Sequence, residues 1–199
     1  NVIRKTATPT QVIAFARSFA GLRYFVKVGG TTFNGILPAA LSGFDQSGQD
    51  RLINGDFSQG ASHWIFLEQN GGNADTLFPG DSTALIHIKA GGSKDYSIQW
   101  MQEDVELIKD RWYRFEFTGW SDKASTLILS RLGRYYAPYD NLDDADEDFL
   151  SALTTTPTVY SYEFRVKEST PFGRLEFNLG GHGERKIYLR SVSVIQLEE

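Results

Sequence analysis

At 199 residues the chain is long enough for one ordinary domain, or one domain with a sizeable extension, and for a real hydrophobic core. Its 41% hydrophobic and 14% aromatic content argues against disorder, and its net charge of −5 against a nucleic-acid partner, whose phosphates call for a Lys/Arg excess. The lack of cysteine removes disulfides, thiolate metal sites and a cysteine nucleophile, and no apolar run approaches the ~18 residues of a membrane span.

The charge is uneven. Residues 1–50 hold five Lys/Arg against two Asp/Glu, and the remainder holds 15 against 23, so a basic first part precedes an acidic second one. From the N-terminus, "QVIAFARSF" (11–19) and "LRYFVKV" (22–28) read as strands, rich in β-branched and aromatic residues. The stretch 29–50, rich in Gly, Ser and Thr, reads as a linker or irregular wrap. This divides the chain into an N-terminal β-rich extension or arm with linker, 1–50, and a domain, 51–199. "RLINGDFSQGASHWIF" (51–66) opens that domain with the turn signal Asn54-Gly55-Asp56.

Strand-like runs follow at 83–90, 96–107, 111–120, 125–132, 159–166, 173–180 and 186–197. In 112–120, Tyr113, Phe115 and Phe117 face one way, while Trp112, Arg114, Glu116, Thr118 and Trp120 face the other. In 174–179, Leu175, Phe177 and Leu179 oppose Arg174, Glu176 and Asn178. In 160–167, Tyr160, Tyr162, Phe164 and Val166 oppose Ser161, Glu163, Arg165 and Lys167. Each strand therefore has a core face and a wet face. One helix is expected over "NLDDADEDFLSAL" (141–153), with acids in its first turn, the alternative being a solvated acidic loop. "GGHGER" (180–185) reads as a hairpin loop rather than a phosphate loop, because it joins two strands. Many strands without intervening helices predict an all-β, two-sheet antiparallel sandwich.

Four stretches carry a family resemblance: "LINGDFSQGASHW", "YSIQWMQ", "KDRWYRFEFTGWSD" and the closing series "VYSYEFRV…GRLEFNLG…KIYLRSVSV". In order and spacing, residues 51–197 resemble the jelly-roll carbohydrate-binding modules, the xylan-, cellulose- and β-glucan-binding domains attached to polysaccharide-degrading enzymes. The resemblance implies a jelly roll and a polysaccharide partner, bound on an aromatic and polar concave sheet face. It places Gln99, Arg114, Glu116, Trp120 and Asn178 on that face, with Tyr135, Tyr136 or Tyr139 supplied by the edge loop 131–140. Aromatic rings stack on the apolar face of a sugar, and amides, carboxylates and guanidinium groups bond its hydroxyl rim.

Each residue also has a plain structural reading. Trp64 plugs the core, Trp100 is packed beside Ile98, Trp112 covers an edge, Gln99 pairs with backbone, and Arg114 and Glu116 are solvated charges. Many members of the family bind a structural calcium through an acid after the opening Phe and an Asp in the final strand. Ser58 and Arg190 stand at those places here, so calcium is not carried over, and no metal or cofactor is expected. His63, His87 and His182 lack metal-ligand spacing.

Nothing in the sequence resembles a nucleophile elbow, a phosphate loop or a zinc motif. A glycosidase needs two opposed carboxylates, and Glu116 and Glu176 are the wet-face acids to place. The expectation is a non-catalytic binding domain, extracellular or on a particle surface, with no signal peptide visible. The alternative is a structural or decoration protein of a larger assembly such as a virion, with residues 1–50 adding strands to a neighbouring subunit.

Overall fold

The computed structural model describes residues 23–28, 31–36 and 48–198. The chain divides into two units, residues 1–45 and 46–199. In the first, β1 (Arg23–Val28) pairs antiparallel with β2 (Thr31–Ile36), Val28 opposite Thr31. Part of the stretch expected as a linker is thus a strand: the β-branched and aromatic run Thr31-Thr32-Phe33 outweighs the surrounding glycines. The strand expected over 11–19 lies outside the described residues.

Among its described residues the second unit holds ten strands: β3 (Ile65–Glu68), β4 (Gly72–Leu77), β5 (Ala84–Gly91), β6 (Ile98–Leu107), β7 (Trp112–Ser121), β8 (Thr126–Arg134), β9 (Phe149–Leu153), β10 (Thr158–Arg165), β11 (Thr170–Asn178) and β12 (Arg185–Gln196). They form two antiparallel five-stranded sheets, ordered β10-β7-β12-β5-β4 and β3-β6-β11-β8-β9. This is a jelly-roll β-sandwich.

The strand parities expected from the sequence hold. Tyr113, Phe115, Phe117, Phe164, Leu175 and Phe177 are all buried in one core. Phe117 packs edge-on to Phe177 at 5.1 Å and stacks on Tyr160 at 5.1 Å. Gly119 leaves the alternation of β7 intact. On edge strand β10 the inward tyrosines do a second job. The Tyr160 hydroxyl donates to Ala152 O at 2.8 Å and the Tyr162 hydroxyl to Leu150 O at 2.9 Å, satisfying carbonyls of edge strand β9 in the other sheet.

The opening turn is built around Asn54, at φ 55°. Its amide donates to Gly60 O and Ser62 O and accepts from Gln59 N, and its own carbonyl accepts from the Trp64 indole at 3.0 Å. Trp64 is buried and stacks on Trp100 at 5.7 Å. The Asn-Gly-Asp-Phe signature therefore folds a loop that seals one end of the core. Gly55 lies against the chain at Val192, leaving no room for a Cβ.

Two expectations fail. Residues 141–153 form no helix: 149–153 is β9, and the acids before it lie in a loop where Asp143 accepts from Glu147 N at 3.3 Å. Phe149, Ser151 and Leu153 point inward at the strand period of two while Leu150 is 57% exposed, and pairing with β8 outweighs the acidic helix-start signal. Residues 180–185 are no hairpin loop either, because β11 and β12 belong to different sheets and the segment crosses between them. Two short strands, β3 and β4, were not anticipated. β4, "GNADTL", is mostly polar and has a single buried side chain, Ala74.

Candidate functional site

Strand order decides which outward residues meet. Gln99 on β6 and Asn178 on β11 are directly paired. Arg114, Glu116 and Trp120 lie on β7, in the other sheet. Both sets point away from the core, so they occupy opposite outer faces of the sandwich and form no single patch. This corrects the expectation of one concave face carrying all five. Parity within a strand was readable from the sequence; the sheet that each strand joins was not.

The β7 residues have local partners. Arg114 pairs with Glu163 at 2.7 Å. Trp120 stacks on Tyr188 of β12 at 4.9 Å with an interplanar angle of 1°, and Arg190 lies over its ring at 5.4 Å. Those neighbours occupy ring surface that a sugar would need. Arg190 also pairs with Asp81, and Ser58 is bonded to Asp56. Glu116 and Glu176 sit on opposite faces, so they do not form the opposed pair that glycoside hydrolysis uses. Among the described residues, no group of three His, Asp or Glu side chains is placed to hold a metal ion.

The outer face of the β3-β6-β11-β8-β9 sheet is different. The registers align Leu67, Gln99, Asn178, Leu129 and Leu150 in one row across all five strands. Met101, Glu176 and Arg131 lie in the next row, and Arg174 follows Glu176 along β11. A cleft of about 600 Å³ opens over this face.

Its floor is a continuous polar chain. Gln69 donates to Gln99 Oε1 at 3.4 Å, Gln99 to Asn178 Oδ1 at 2.8 Å, and Asn178 to Glu176 Oε1 at 3.3 Å. Arg131 and Arg174 both form ion pairs with Glu176, whose side chain is only 2% exposed. Every donor in this chain points toward one carboxylate, which fixes the amides and guanidinium groups in orientation. Arg174 Nε is buried there with no hydrogen-bond partner among the described residues.

Tyrosines flank the polar floor. Tyr96, from the 3₁₀ turn before β6, is 41% exposed, and Tyr139, from the loop after β8, is 45% exposed; both line the cleft. Arg174 lies 5.3 Å from the Tyr139 ring centre. Tyr135 and Tyr136 are exposed on the same loop but are not in the cleft lining. Sequence reasoning missed Tyr96, Arg131, Arg174 and Glu176 as site residues. Arg174 and Glu176 had a readable signal, since they share the outward parity of Asn178.

No family model matches the chain, and no curated protein matches it. Solved structures do. A CBM4 structure superposes with a TM-score of 0.60 at 18% identity, covering 76% of this chain and 96% of the other. The N-terminal cellulose-binding domain of Cellulomonas fimi β-1,4-glucanase C gives 0.54 at 21% identity, covering 72% and 94%. A CBM61 structure in complex with β-1,4-galactotriose gives 0.53 at 15% identity, covering 74% and 99%. The chain has the jelly-roll fold of these carbohydrate-binding modules.

Proposed function

We propose that this protein is a non-catalytic polysaccharide-binding module that holds a glycan chain in the cleft between Tyr96 and Tyr139. The observation that carries this reading is the floor: a buried, oriented chain of amides and guanidinium groups lying open to a cleft and flanked by exposed aromatic rings. Such a surface matches a sugar group by group. The rings supply apolar contact to pyranose faces, and the fixed amides and guanidinium groups meet the hydroxyl rim. The superposable modules support the reading, since one is a cellulose-binding domain and another holds β-1,4-galactotriose.

The cleft floor runs along β11 from Asn178 through Glu176 to Arg174, about 13 Å of strand, so a glycan chain held there lies along that strand. A polymer partner of this kind suits a position outside the cell or on a particle surface. No helix among the described residues is long and apolar enough to cross a membrane.

Isothermal titration against xylan, mixed-linkage glucan, cellulose fragments and β-1,4-galactan tests the proposal. One of these polymers is expected to bind, with Tyr139→Ala and Gln99→Ala each weakening it, Tyr139→Ala by about 2 kcal/mol. Binding to none of the four, or affinity unchanged in both variants, overturns it.

A further inference from the structure

We propose that Phe172 and Tyr135 form an additional stacking subsite that takes sugar units of the same glycan chain beyond the cleft. The inference rests on the cleft reading above and extends it along β11. Asn178, Glu176 and Arg174 point outward at alternate positions of that strand and line the cleft. The next alternate position is Phe172. The ideal Cβ of Gly173 points inward at Val105, Leu107 and Leu142, so Phe172 faces out on the same side as Arg174. From Asn178 to Phe172 is six residues, about 20 Å of strand, so polar floor and aromatic end form one line.

Phe172 is 49% exposed, a high value for a phenylalanine on a sheet face. It does not stand alone. Its ring meets Tyr135 edge-to-face at 5.8 Å, Tyr135 is 39% exposed, and Tyr135 in turn meets Tyr136 at 5.3 Å. Tyr139, which lines the cleft beside Arg174, lies on the same loop as Tyr135 and Tyr136.

A glycan chain is the occupant this geometry selects. The Phe172 and Tyr135 rings, inclined at 65°, offer one flat face and one edge, which suits the apolar face of a pyranose, and the floor leading to them already points sugar-binding groups outward. The physical consequence is a dependence on chain length. Short oligosaccharides fill the cleft alone, while longer ones reach Phe172.

The test is titration of the 199-residue chain with β-1,4-linked gluco-, xylo- and galacto-oligosaccharides of two to seven units. Wild type, Phe172→Ala, Phe172→Tyr and Tyr139→Ala are compared. Phe172→Ala is expected to bind the shortest effective oligosaccharide as wild type does and the longest about tenfold more weakly. Phe172→Tyr, which keeps a ring face, retains the length dependence. Tyr139→Ala weakens binding at every length. If Phe172→Ala matches wild type at every length while Tyr139→Ala loses affinity, the subsite is overturned and the cleft stands. An equal loss at all lengths in Phe172→Ala also overturns it, because that pattern belongs to a residue of the cleft itself or to a change in fold. Absence of binding by wild type at every length overturns the cleft reading and the subsite with it.

Discussion

Glu176 is the point on which the candidate cleft turns, and Glu176→Gln tests it with one atom's change. The variant keeps the shape and still accepts from Asn178, but it removes the negative charge that Arg131 and Arg174 share. Breaking a buried ion pair by neutralising one partner costs about 3–5 kcal/mol, because an uncompensated charge is left behind. The two arginines share that cost unequally. Arg131 has 23% of its side chain exposed and can turn toward water, whereas Arg174 has 10% and cannot. The expected loss is therefore at the lower end, about 3 kcal/mol. Urea unfolding reads it as a lower midpoint at unchanged slope. The double variant Glu176→Gln/Arg174→Gln removes the stranded charge too and should recover part of the loss, a coupling of about 1 kcal/mol or more. A single-variant loss below about 1 kcal/mol, or strict additivity in the double variant, would refute the buried triad. Glycan affinity of the folded Glu176→Gln protein should also fall, because the guanidinium groups lose the carboxylate that orients them.

Phe117→Ala should cost about 3–5 kcal/mol in chemical unfolding, since its ring fills the centre of the core against Phe115, Phe177 and Tyr160; a loss under about 1 kcal/mol counts against that packing. Gly55→Ala should lower the melting temperature sharply, because the added methyl group meets the Val192 carbonyl, and an unshifted melting temperature would show that the two segments do not touch. Trp120→Ala should leave glycan affinity unchanged while Tyr139→Ala reduces it; the reverse result in a titration would move the site to the other sheet. Burial, with Arg185 adding to it, holds the His182 pKa below its ordinary 6.5, so the unfolded chain binds more protons. Its contribution to stability is complete above pH 6.5 and is lost as pH falls through the folded value. His182→Gln should flatten that loss in thermal unfolding followed from pH 7 to pH 4, and an unchanged profile refutes the assignment.

Most of the fold was legible because a strand writes its burial at a period of two. The alternations in β7, β10 and β11 could be read directly, and the structure buries the side chains they mark. The segment 141–153 misled because a run of acids before Phe149 and Leu150 satisfies the rules for a helix start. Leu150 and Phe149 are in fact on opposite faces of one strand, and two of the acids have partners that hold a loop, Asp143 at Glu147 N and Asp146 at Lys167. β3 and β4 escaped for another reason. Each is a short edge strand, and β4 buries only Ala74, so its pairing with β5 and not its hydrophobicity holds it in place.

The site was half legible, and topology explains which half. Outward parity identifies Arg114, Glu116 and Trp120 as surely as Gln99 and Asn178, but parity says nothing about which sheet a strand joins. That is settled by non-local pairing: β6 with β11, and β7 with β10 and β12. Once β6 and β11 are neighbours, Gln99 meets Asn178, and the same register brings Glu176 beside Met101 and Arg131. The sequence already held Arg174 and Glu176 on the same parity as Asn178. What it lacked was a reason to regard two like-facing charges on one strand as anything but solvated. Arg131, from β8, is that reason. It completes a triad whose carboxylate is taken out of water, and a sheet face that would otherwise be wet becomes an oriented polar floor between two tyrosines.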